Sequence, residues 1–238
     1  AIINRYAPDQ VELFGALGYD FVMIDCEHGP MDLDQVEHMV RAGEVFGITP
    51  IARIPDHADA TILRYLDRGV QGLIVPHINT REEADAVARA ARYYPDGHRG
   101  VGGGRAHDYG VGVSRDESTA WINSQTLVIP MVEETEAVEN LDAILGVTGV
   151  DILHVAAGDL GQSMGNPGPA DVRRLMSQVI PKIRAGGKNV GVGGNSPADA
   201  TGVAEFIKLG ANFVTISAQG LLRLGAEDFR KRVDAALQ

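Results

Sequence analysis

Two carboxylates, one imidazole and the only thiol of the chain lie within residues 25–28 of the segment IDCEHGP, directly after an apolar run. These residue types could form a metal site, an acid/base site or a Cys–His nucleophile, or they could belong to a polar loop. The nucleophile is the weakest of these interpretations. No oxyanion-hole motif or third orienting residue accompanies Cys26 and His28, and a lone Cys at a strand end is usually a small buried hydrophobe.

The elements that must position this segment follow from the hydrophobic pattern. Apolar, β-rich runs lie at 19–24, 49–54, 72–75, 126–132, 151–155, 189–192 and 212–217. Helical patterns lie between them, at 9–17, 32–46, 58–68, 80–93, 134–144, 169–186, 197–208 and 221–236. Strand followed by helix predicts right-handed βαβ units and a parallel sheet. A short run at 2–5, interpreted as a first strand truncated at the N-terminus, makes eight strands and predicts an α/β fold, a (β/α)8 TIM barrel in one domain over 1–238.

In such a barrel the active site lies at the carboxyl ends of the strands, so polar residues directly after apolar runs are the candidates. The residues that meet this criterion are His28 with Asp25 and Glu27, Arg53, His77, Glu133 with Glu134, and Asp159. Asp67 lies differently, in a helical segment just before a strand.

The carboxylates of Glu133 and Asp159 follow consecutive strands and can therefore converge on one point. Two carboxylates without Cys or paired His ligands suit a hard divalent ion such as Mg²⁺ or Mn²⁺, completed by water or a chelating substrate. Two ordinary loop acids are the alternative. Metal binding and this alternative carry about equal weight from the residues alone.

The other candidates also allow two interpretations each. Arg53 could hold a substrate carboxylate in a bidentate fashion or form a structural salt bridge at the barrel rim. His28 could act as a general acid/base, since imidazole titrates near neutral pH, or be a hydrogen-bonded loop histidine. Asp67, taken alone, is typical of a structural acid near a helix C-terminus.

Composition excludes several classes of function. A net charge of −11 argues against a nucleic-acid or anionic-membrane partner. One Cys fits a reducing cytoplasm, and no apolar run approaches the ~18–20 residues of a membrane span. The Gly-rich stretch at 100–104 lacks the setting of a nucleotide-cofactor motif, and no Walker A pattern occurs. The stretch at 191–197 leads into a helix after the seventh strand, where many barrels hold phosphate, but close packing or room for substrate explains it equally well. No Lys lies deep in a strand, which argues against a Schiff-base lysine.

Several motifs in one order carry a family resemblance: GYDFVMIDCEHGP, the Arg of PIARIP, LDRGVQGLIVPHINTREEA with YYPDGHRGVG, MVEETEAVENL and VAAGDLGQSMG. Over nearly the whole length, the chain resembles the HpcH/HpaI family of class II, metal-dependent pyruvate aldolases in the phosphoenolpyruvate/pyruvate barrel superfamily. The resemblance implies a lyase that cleaves or forms 4-hydroxy-2-oxo acids, from a pyruvate or hydroxypyruvate-type donor and an aldehyde, through a metal-stabilised enolate.

The same resemblance implies roles for individual residues. Glu133 and Asp159 would be the ligands of a divalent cation, Mg²⁺ or Mn²⁺, with Co²⁺ or another divalent ion also accepted. Arg53, the backbone at Ala157 and Gly158, and Asp159 would bind the 2-oxo acid, and His28 with Asp67 would form the acid/base dyad. Asp25 and Glu27 would orient metal-bound waters or substrate hydroxyls. The family also suggests a homo-oligomer, a hexamer in which a terminal helix is exchanged.

Two departures from the family pattern lie near the expected pyruvate site. Met131 stands where the family often has Gln, two residues before the metal Glu, and Ala156-Ala157 stand where it usually has Gly-Pro. These departures keep open a metal-dependent decarboxylase or C–C lyase acting on oxaloacetate or malate-like acids. A non-catalytic barrel that binds a 2-oxo acid is a further alternative, which the full set of Arg, His and acidic residues disfavours.

Overall fold

The computed structural model describes residues 1–238, in which eight strands alternate with helices. The strands are β1 Ile2–Ile3, β2 Phe21–Asp25, β3 Thr49–Arg53, β4 Gly72–Val75, β5 Leu127–Val132, β6 Ile152–Ala156, β7 Asn189–Asn195 and β8 Phe213–Ile216. The helices are α1 Pro8–Ala16, α2 Leu33–Phe46, α3 Asp59–Asp67, α4 Arg81–Ala90, α5 Arg115–Gln125, α6 Thr135–Glu139, α7 Leu141–Leu145, α8 Ala157–Ser163, α9 Pro169–Ala185, α10 Ala200–Lys208 and α11 Ala218–Ala236. A 3₁₀ segment lies at Arg105–Gly110.

The strands pair in chain order and all neighbours are parallel. A parallel bridge between Ile2 and Ser217 joins the two ends of the sheet, so the barrel is nearly closed. The predicted (β/α)8 barrel is therefore confirmed. Its parallel strands place all their carboxyl ends at one end of the barrel, where the active sites of this fold lie.

Two apolar layers hold the barrel together. The larger, of 48 buried residues, lies between the outer face of the strands and the helices. The smaller fills the barrel interior with eight residues: Met23, Ile51, Ile74, Ile129, Met131, Ile152, Ala156 and Phe213. Because side chains alternate along a strand, the residues two positions after Met23, Ile51 and Met131 also face inward. These residues are Asp25, Arg53 and Glu133, which belong to the candidate site.

Most helix boundaries match the sequence signals. Thr80 caps α4: its hydroxyl accepts the Glu83 N–H while the Glu83 carboxylate accepts the Thr80 N–H. Gly18, Gly69 and Gly210, which follow α1, α3 and α10, all have positive φ, as is typical of glycines at helix ends. The start of α10 at 197 is wrong: the helix begins at Ala200, because the Asp199 side chain accepts the Gly202 N–H and caps it there.

Two helices were missed by the sequence patterns. The α5 helix lies between the helical pattern at 80–93 and the apolar run at 126–132, and its signal is a capping box between Ser114 and Glu117. The α8 helix has the sequence AGDLGQS, whose two glycines disfavour a helix. It begins directly at the end of β6, so it places Asp159 in its first turn.

A buried histidine occupies the barrel interior one inward position below the polar layer. His154 in β6 is 3% exposed, and a Cβ atom at Gly191 or Gly193 of β7 would lie only 2.3 or 2.6 Å from its ring nitrogens. Real Cβ atoms do not approach this closely, so β7 can run beside the ring only with glycine at both positions. The Gly-rich stretch at 191–197 therefore makes room for a side chain of the protein itself.

The last helix has an apolar face without a partner in the chain. Leu222, Phe229, Val233 and Leu237 are exposed, and their spacing places them on one side of α11. Only Ala218, at the start of this helix, is buried. None of the helices combines the length and the apolar character required to cross a bilayer.

The burial of His154 predicts a pH dependence of stability. Burial lowers the pKa of His154 from 6.5 to about 3, so the folded protein holds a neutral imidazole that the unfolded chain protonates. The stability this contributes is present above pH 6.5 and is lost as the pH falls toward 3; at pH 5 the loss is about 2 kcal/mol.

We therefore expect His154→Phe to lose less stability than the wild type between pH 7.5 and pH 5, measured by urea unfolding at both pH values. His38→Phe, which replaces an exposed histidine on α2, is the matched control and should follow the wild type. An equal loss in His154→Phe and the wild type would contradict the prediction.

Candidate active site

The end of β2 is tied to the end of β3 by a buried ion pair. Asp25 and Arg53 are register partners in the sheet. The Nε and Nη2 groups of Arg53 donate to the two carboxylate oxygens of Asp25 at 3.0 and 2.8 Å. Its Nη1 lies 3.1 Å from the Oε2 atom of Glu27. Asp25 and Glu27 therefore orient Arg53, and the Nη groups of the guanidinium keep N–H bonds for an anion above the barrel.

The turn after β2 presents His28 to solvent. The carboxylate of Asp25 accepts the backbone N–H of His28 at 3.3 Å, and a Cβ atom at Gly29 would lie 2.1 Å from the Asp25 carbonyl oxygen. The turn is therefore tight and requires glycine. The His28 side chain is 64% exposed, and its nearest carboxylate is that of Glu27, 4.0 Å from Nε2.

Asp67 does not lie beside His28 within the chain. It is the last residue of α3, which runs back along the barrel, so it lies at the amino end near the start of β4. Its Oδ1 atom accepts a hydrogen bond from Nη2 of Arg99 at 2.8 Å. Within one chain, His28 and Asp67 therefore lie at opposite ends of the barrel, because a residue at the end of a barrel helix lies at the opposite end from residues that follow strands.

Glu133 and Asp159 do converge on one space. Glu133 follows β5 and is 2% exposed, and its Oε1 atom accepts the backbone N–H of His77 at 2.8 Å. Burial raises the pKa of Glu133, and the nearby charges of Asp159 and Glu27 raise it further. Asp159, in the first turn of α8, is exposed toward the same space.

The side chains at this end of the barrel carry an excess of negative charge, which suits a divalent cation. Four carboxylates, of Asp25, Glu27, Glu133 and Asp159, surround the one guanidinium of Arg53, which is already paired with two of them. No set of three acidic, His or Cys side chains is arranged to hold a metal ion on protein ligands alone. A cation bound by Glu133 and Asp159 would thus keep coordination positions for water or a chelating substrate.

His77 connects the acidic side chains and was given no role by the sequence. It follows β4 with φ 56°, a left-handed conformation that turns its N–H toward Glu133. Its Nδ1 atom lies 2.8 Å from Oε1 of Glu134, whose hydrogen bond raises the pKa of His77, and its Nε2 atom lies 3.8 Å from Glu27. The Asn79 side chain donates to the other Glu134 oxygen at 3.0 Å. The sequence signal that could have indicated a role for His77 is its position directly after an apolar run.

Known proteins resemble this chain in sequence and in fold. A sequence model described as HpcH/HpaI aldolase/citrate lyase matches residues 3–226. The chain is a member of this family. The family is one of metal-dependent class II aldolases, so the prediction of a metal-dependent carbon–carbon lyase is confirmed.

Two curated relatives are similar over most of their length. The chain is 35% identical to a 2-keto-3-deoxy-L-rhamnonate aldolase of Salmonella gallinarum, over 95% of this chain and 85% of that protein. It is 36% identical to a 4-hydroxy-2-oxovalerate aldolase of Novosphingobium aromaticivorans, over 87% and 78%. A solved HpcH/HpaI aldolase/citrate lyase family structure from Burkholderia cenocepacia J2315 superposes with a TM-score of 0.86 at 29% identity, over 97% and 92%.

The thiol next to the site is shielded and resists ionisation. Cys26 is 6% exposed, and burial raises its pKa to about 12.

Because the thiolate is the reactive form, we expect Cys26 of the native aldolase to react with iodoacetamide at pH 8 at least tenfold more slowly than in urea. We also expect Cys26→Ala to keep its activity within a few-fold. Rapid native labelling, or a Cys26→Ala enzyme without activity, would contradict this.

Proposed function

We propose that this aldolase cleaves and forms 4-hydroxy-2-oxo acids, with a pyruvate-type 2-oxo acid and an aldehyde as the fragments. The observation that carries the proposal is the placement of Arg53, held by Asp25, on the same end of the barrel as the carboxylates of Glu133 and Asp159. This set can bind an acid group and a divalent cation side by side. The names of both curated relatives, a 2-keto-3-deoxy-L-rhamnonate aldolase and a 4-hydroxy-2-oxovalerate aldolase, support the same substrate class.

Glu133 and Asp159 would hold the cation, and their hard oxygen atoms favour Mg²⁺ or Mn²⁺, with Co²⁺ also accepted. When bound, the ion supplies a Lewis acid that stabilises negative charge developing on the substrate oxygens. The backbone N–H of His77 fixes one oxygen of Glu133, which leaves the other oxygen for the ion. Protein groups that orient a ligand in this way contribute to metal affinity.

Arg53 would bind the substrate carboxylate through its Nη groups, assisted by backbone N–H groups of Ala157 and Gly158 in the first turn of α8. Asp25 prevents the guanidinium from rotating, so the carboxylate is received in one orientation. This positioning lowers the entropic part of the barrier to C3–C4 cleavage.

His28 would remove the proton of the C4 hydroxyl. The C3–C4 electron pair then passes to the 2-oxo acid fragment and the aldehyde leaves. The fragment takes up a proton at C3 from water, and His28 returns the C4 hydroxyl proton to solvent. The exposed imidazole lies on the solvent side of the site, where an aldehyde enters and departs. Asp67 can assist His28 only from another subunit, because within one chain it lies at the opposite end of the barrel.

The exposed apolar face of α11 supports a homo-oligomer, and the resemblance to the family favours a hexamer. Leu222, Phe229, Val233 and Leu237 would be covered by a second copy of the chain. Burial of such side chains stabilises each by about 1.5–3 kcal/mol, so a shared helix is a strong contact.

The substrate class and the metal are tested with a panel of 4-hydroxy-2-oxo acids, by coupling pyruvate release to lactate dehydrogenase. We expect release that EDTA abolishes and Mg²⁺ or Mn²⁺ restores. Glu133→Gln should abolish release and weaken Mn²⁺ binding, measured calorimetrically, by at least tenfold. Glu139→Gln, the same change on the exposed side of α6, is the control and should resemble the wild type. Release that survives EDTA, or faster decarboxylation of oxaloacetate than any cleavage, would contradict the proposal.

The role of His28 as the general base is tested by His28→Ala. We expect kcat of this variant to fall about 10²–10⁴-fold while its Mn²⁺ affinity stays unchanged. His38→Ala removes an exposed imidazole on α2 and should retain full activity. A His28→Ala enzyme within a few-fold of the wild type would exclude this role.

The oligomer is tested by replacing Phe229 and Val233 together with Ser. These residues are four apart on the same helix face, and their loss should lower the mass measured by light scattering. Lys231→Ser, on the same helix, is the control. A monomeric wild type would contradict the oligomer proposal.

A further inference from the structure

One residue of the site has a backbone conformation that its residue type rarely adopts. His77 follows β4 with φ 56°, in the left-handed region, where a residue with a Cβ atom is disfavoured relative to glycine. Its side chain is 62% exposed, so packing contributes little to holding this conformation. Strained backbone of this kind persists only where the surroundings hold it, and it clusters at active sites and ligand-binding sites.

The strained conformation serves the carboxylate of Glu133. It directs the backbone N–H of His77 to Oε1 of Glu133 at 2.8 Å, and this is the one hydrogen bond that the carboxylate accepts within the chain. A relaxed, right-handed or extended His77 would point its N–H elsewhere. The buried carboxylate would then have no group of the protein to fix its orientation.

The imidazole of His77 is held by the residue that follows Glu133. Oε1 of Glu134 lies 2.8 Å from Nδ1 of His77, and Oε2 of Glu134 accepts the Asn79 side-chain N–H at 3.0 Å. Glu134 stands at the N-cap position of α6, yet its side chain makes no capping hydrogen bond there. The carboxylate of Glu134 is therefore turned toward the site and not toward the helix that it precedes.

Asn79 is in turn anchored from two sides. Its backbone N–H donates to Oε2 of Glu83 at 2.8 Å, and its carbonyl oxygen accepts the Asn140 side-chain N–H at 2.9 Å. Glu83 lies in α4, and Asn140 lies at the junction of α6 and α7. A continuous series of hydrogen bonds therefore runs from these helices through Asn79 and Glu134 to the ring of His77.

Resting on the proposed function, in which Glu133 binds the cation, we propose that Glu134 is a positioning residue that acts through His77 on the affinity for the cation. Its carboxylate holds the imidazole, the held imidazole stabilises the left-handed backbone, and the backbone N–H keeps Glu133 oriented with one oxygen open to the ion. Nδ1 of His77 can donate to Glu134 whether the ring carries one proton or two, so the role does not depend on titration.

A negative charge near a cation would also raise its affinity without any positioning, and one substitution separates the two explanations. Glu134→Gln removes the charge but keeps a side-chain oxygen for Nδ1 of His77. Its amide N–H can donate to Oδ1 of Asn79, which is buried without a hydrogen-bond partner, once the Asn79 amide turns over. A charge effect alone predicts equal losses in Glu134→Gln and Glu134→Ala, whereas positioning predicts a loss chiefly in Glu134→Ala.

The test measures the Kd for Mn²⁺ by calorimetry on the whole enzyme. We expect Glu134→Ala to raise this Kd about tenfold, which is the scale for groups that orient a metal ligand, and Glu134→Gln to raise it less than about threefold. Glu136→Ala removes an exposed carboxylate two residues further on in α6, and as the matched control it should stay within about twofold of the wild type. Pyruvate release by Glu134→Ala should recover at saturating Mn²⁺, because the affinity and not the chemistry is changed.

The route through His77 is tested by a double-mutant cycle. Glycine adopts the left-handed region readily, so His77→Gly should keep its N–H on Glu133 and bind Mn²⁺ more tightly than His77→Ala. In the His77→Gly background, Glu134→Ala should have no further effect on the Kd, because the ring on which Glu134 acts is absent.

Three results would overturn the role of Glu134 alone. These are a Kd of Glu134→Ala within about twofold of the wild type, an equal loss of affinity in Glu134→Gln, and an equal effect of Glu134→Ala in the wild-type and His77→Gly backgrounds. A wild-type enzyme that does not bind Mn²⁺, or a Glu133→Gln enzyme that binds it as tightly as the wild type, would instead contradict the proposed function.

Discussion

The pairing of β2 with β3 fixes the charge arrangement on which the site depends. It places Asp25 opposite Arg53 as register partners, and the two charged groups meet in a bidentate contact at the point where both strands end. Both are largely withdrawn from water, so the loss of Arg53 would leave the buried carboxylate of Asp25 uncompensated at a cost of about 3–5 kcal/mol. The same carboxylate holds the His28 turn through its N–H. One ion pair therefore positions an anion-binding group and an imidazole together.

Charge balance explains why this arrangement calls for a ligand. Arg53 is neutralised by Asp25 and Glu27, so Glu133 and Asp159 remain as a second acidic pair. The raised pKa of Glu133 reflects the cost of keeping that charge in a buried place. His77 offsets part of it at the rim through its N–H and its imidazole. A cation bound by Glu133 and Asp159 would remove the remaining cost, and it would present positive charge beside Arg53 to the carboxylate of a substrate.

The sequence was sufficient for the fold and for the strand-end residues, because hydrophobic alternation and glycine at helix ends are local signals. It also brought Glu133 and Asp159 together, since consecutive parallel strands end at the same face. It did not show where Asp67 lies relative to His28, because that distance depends on which end of the barrel a helix of nine residues reaches. It gave no role to His77 or His154, because a partner such as Glu134 or Gly191 is set by register between strands, and one sequence does not display register.

The fit of His154 between two glycines also constrains how the floor of this barrel can change. A side chain at Gly191 or Gly193 would overlap the imidazole, and a smaller residue at 154 would leave a void that β7 has no side chains to fill. A single substitution on either strand therefore passes through a poorly packed or overfilled interior. Relatives that differ in this floor should have exchanged the three positions as a set.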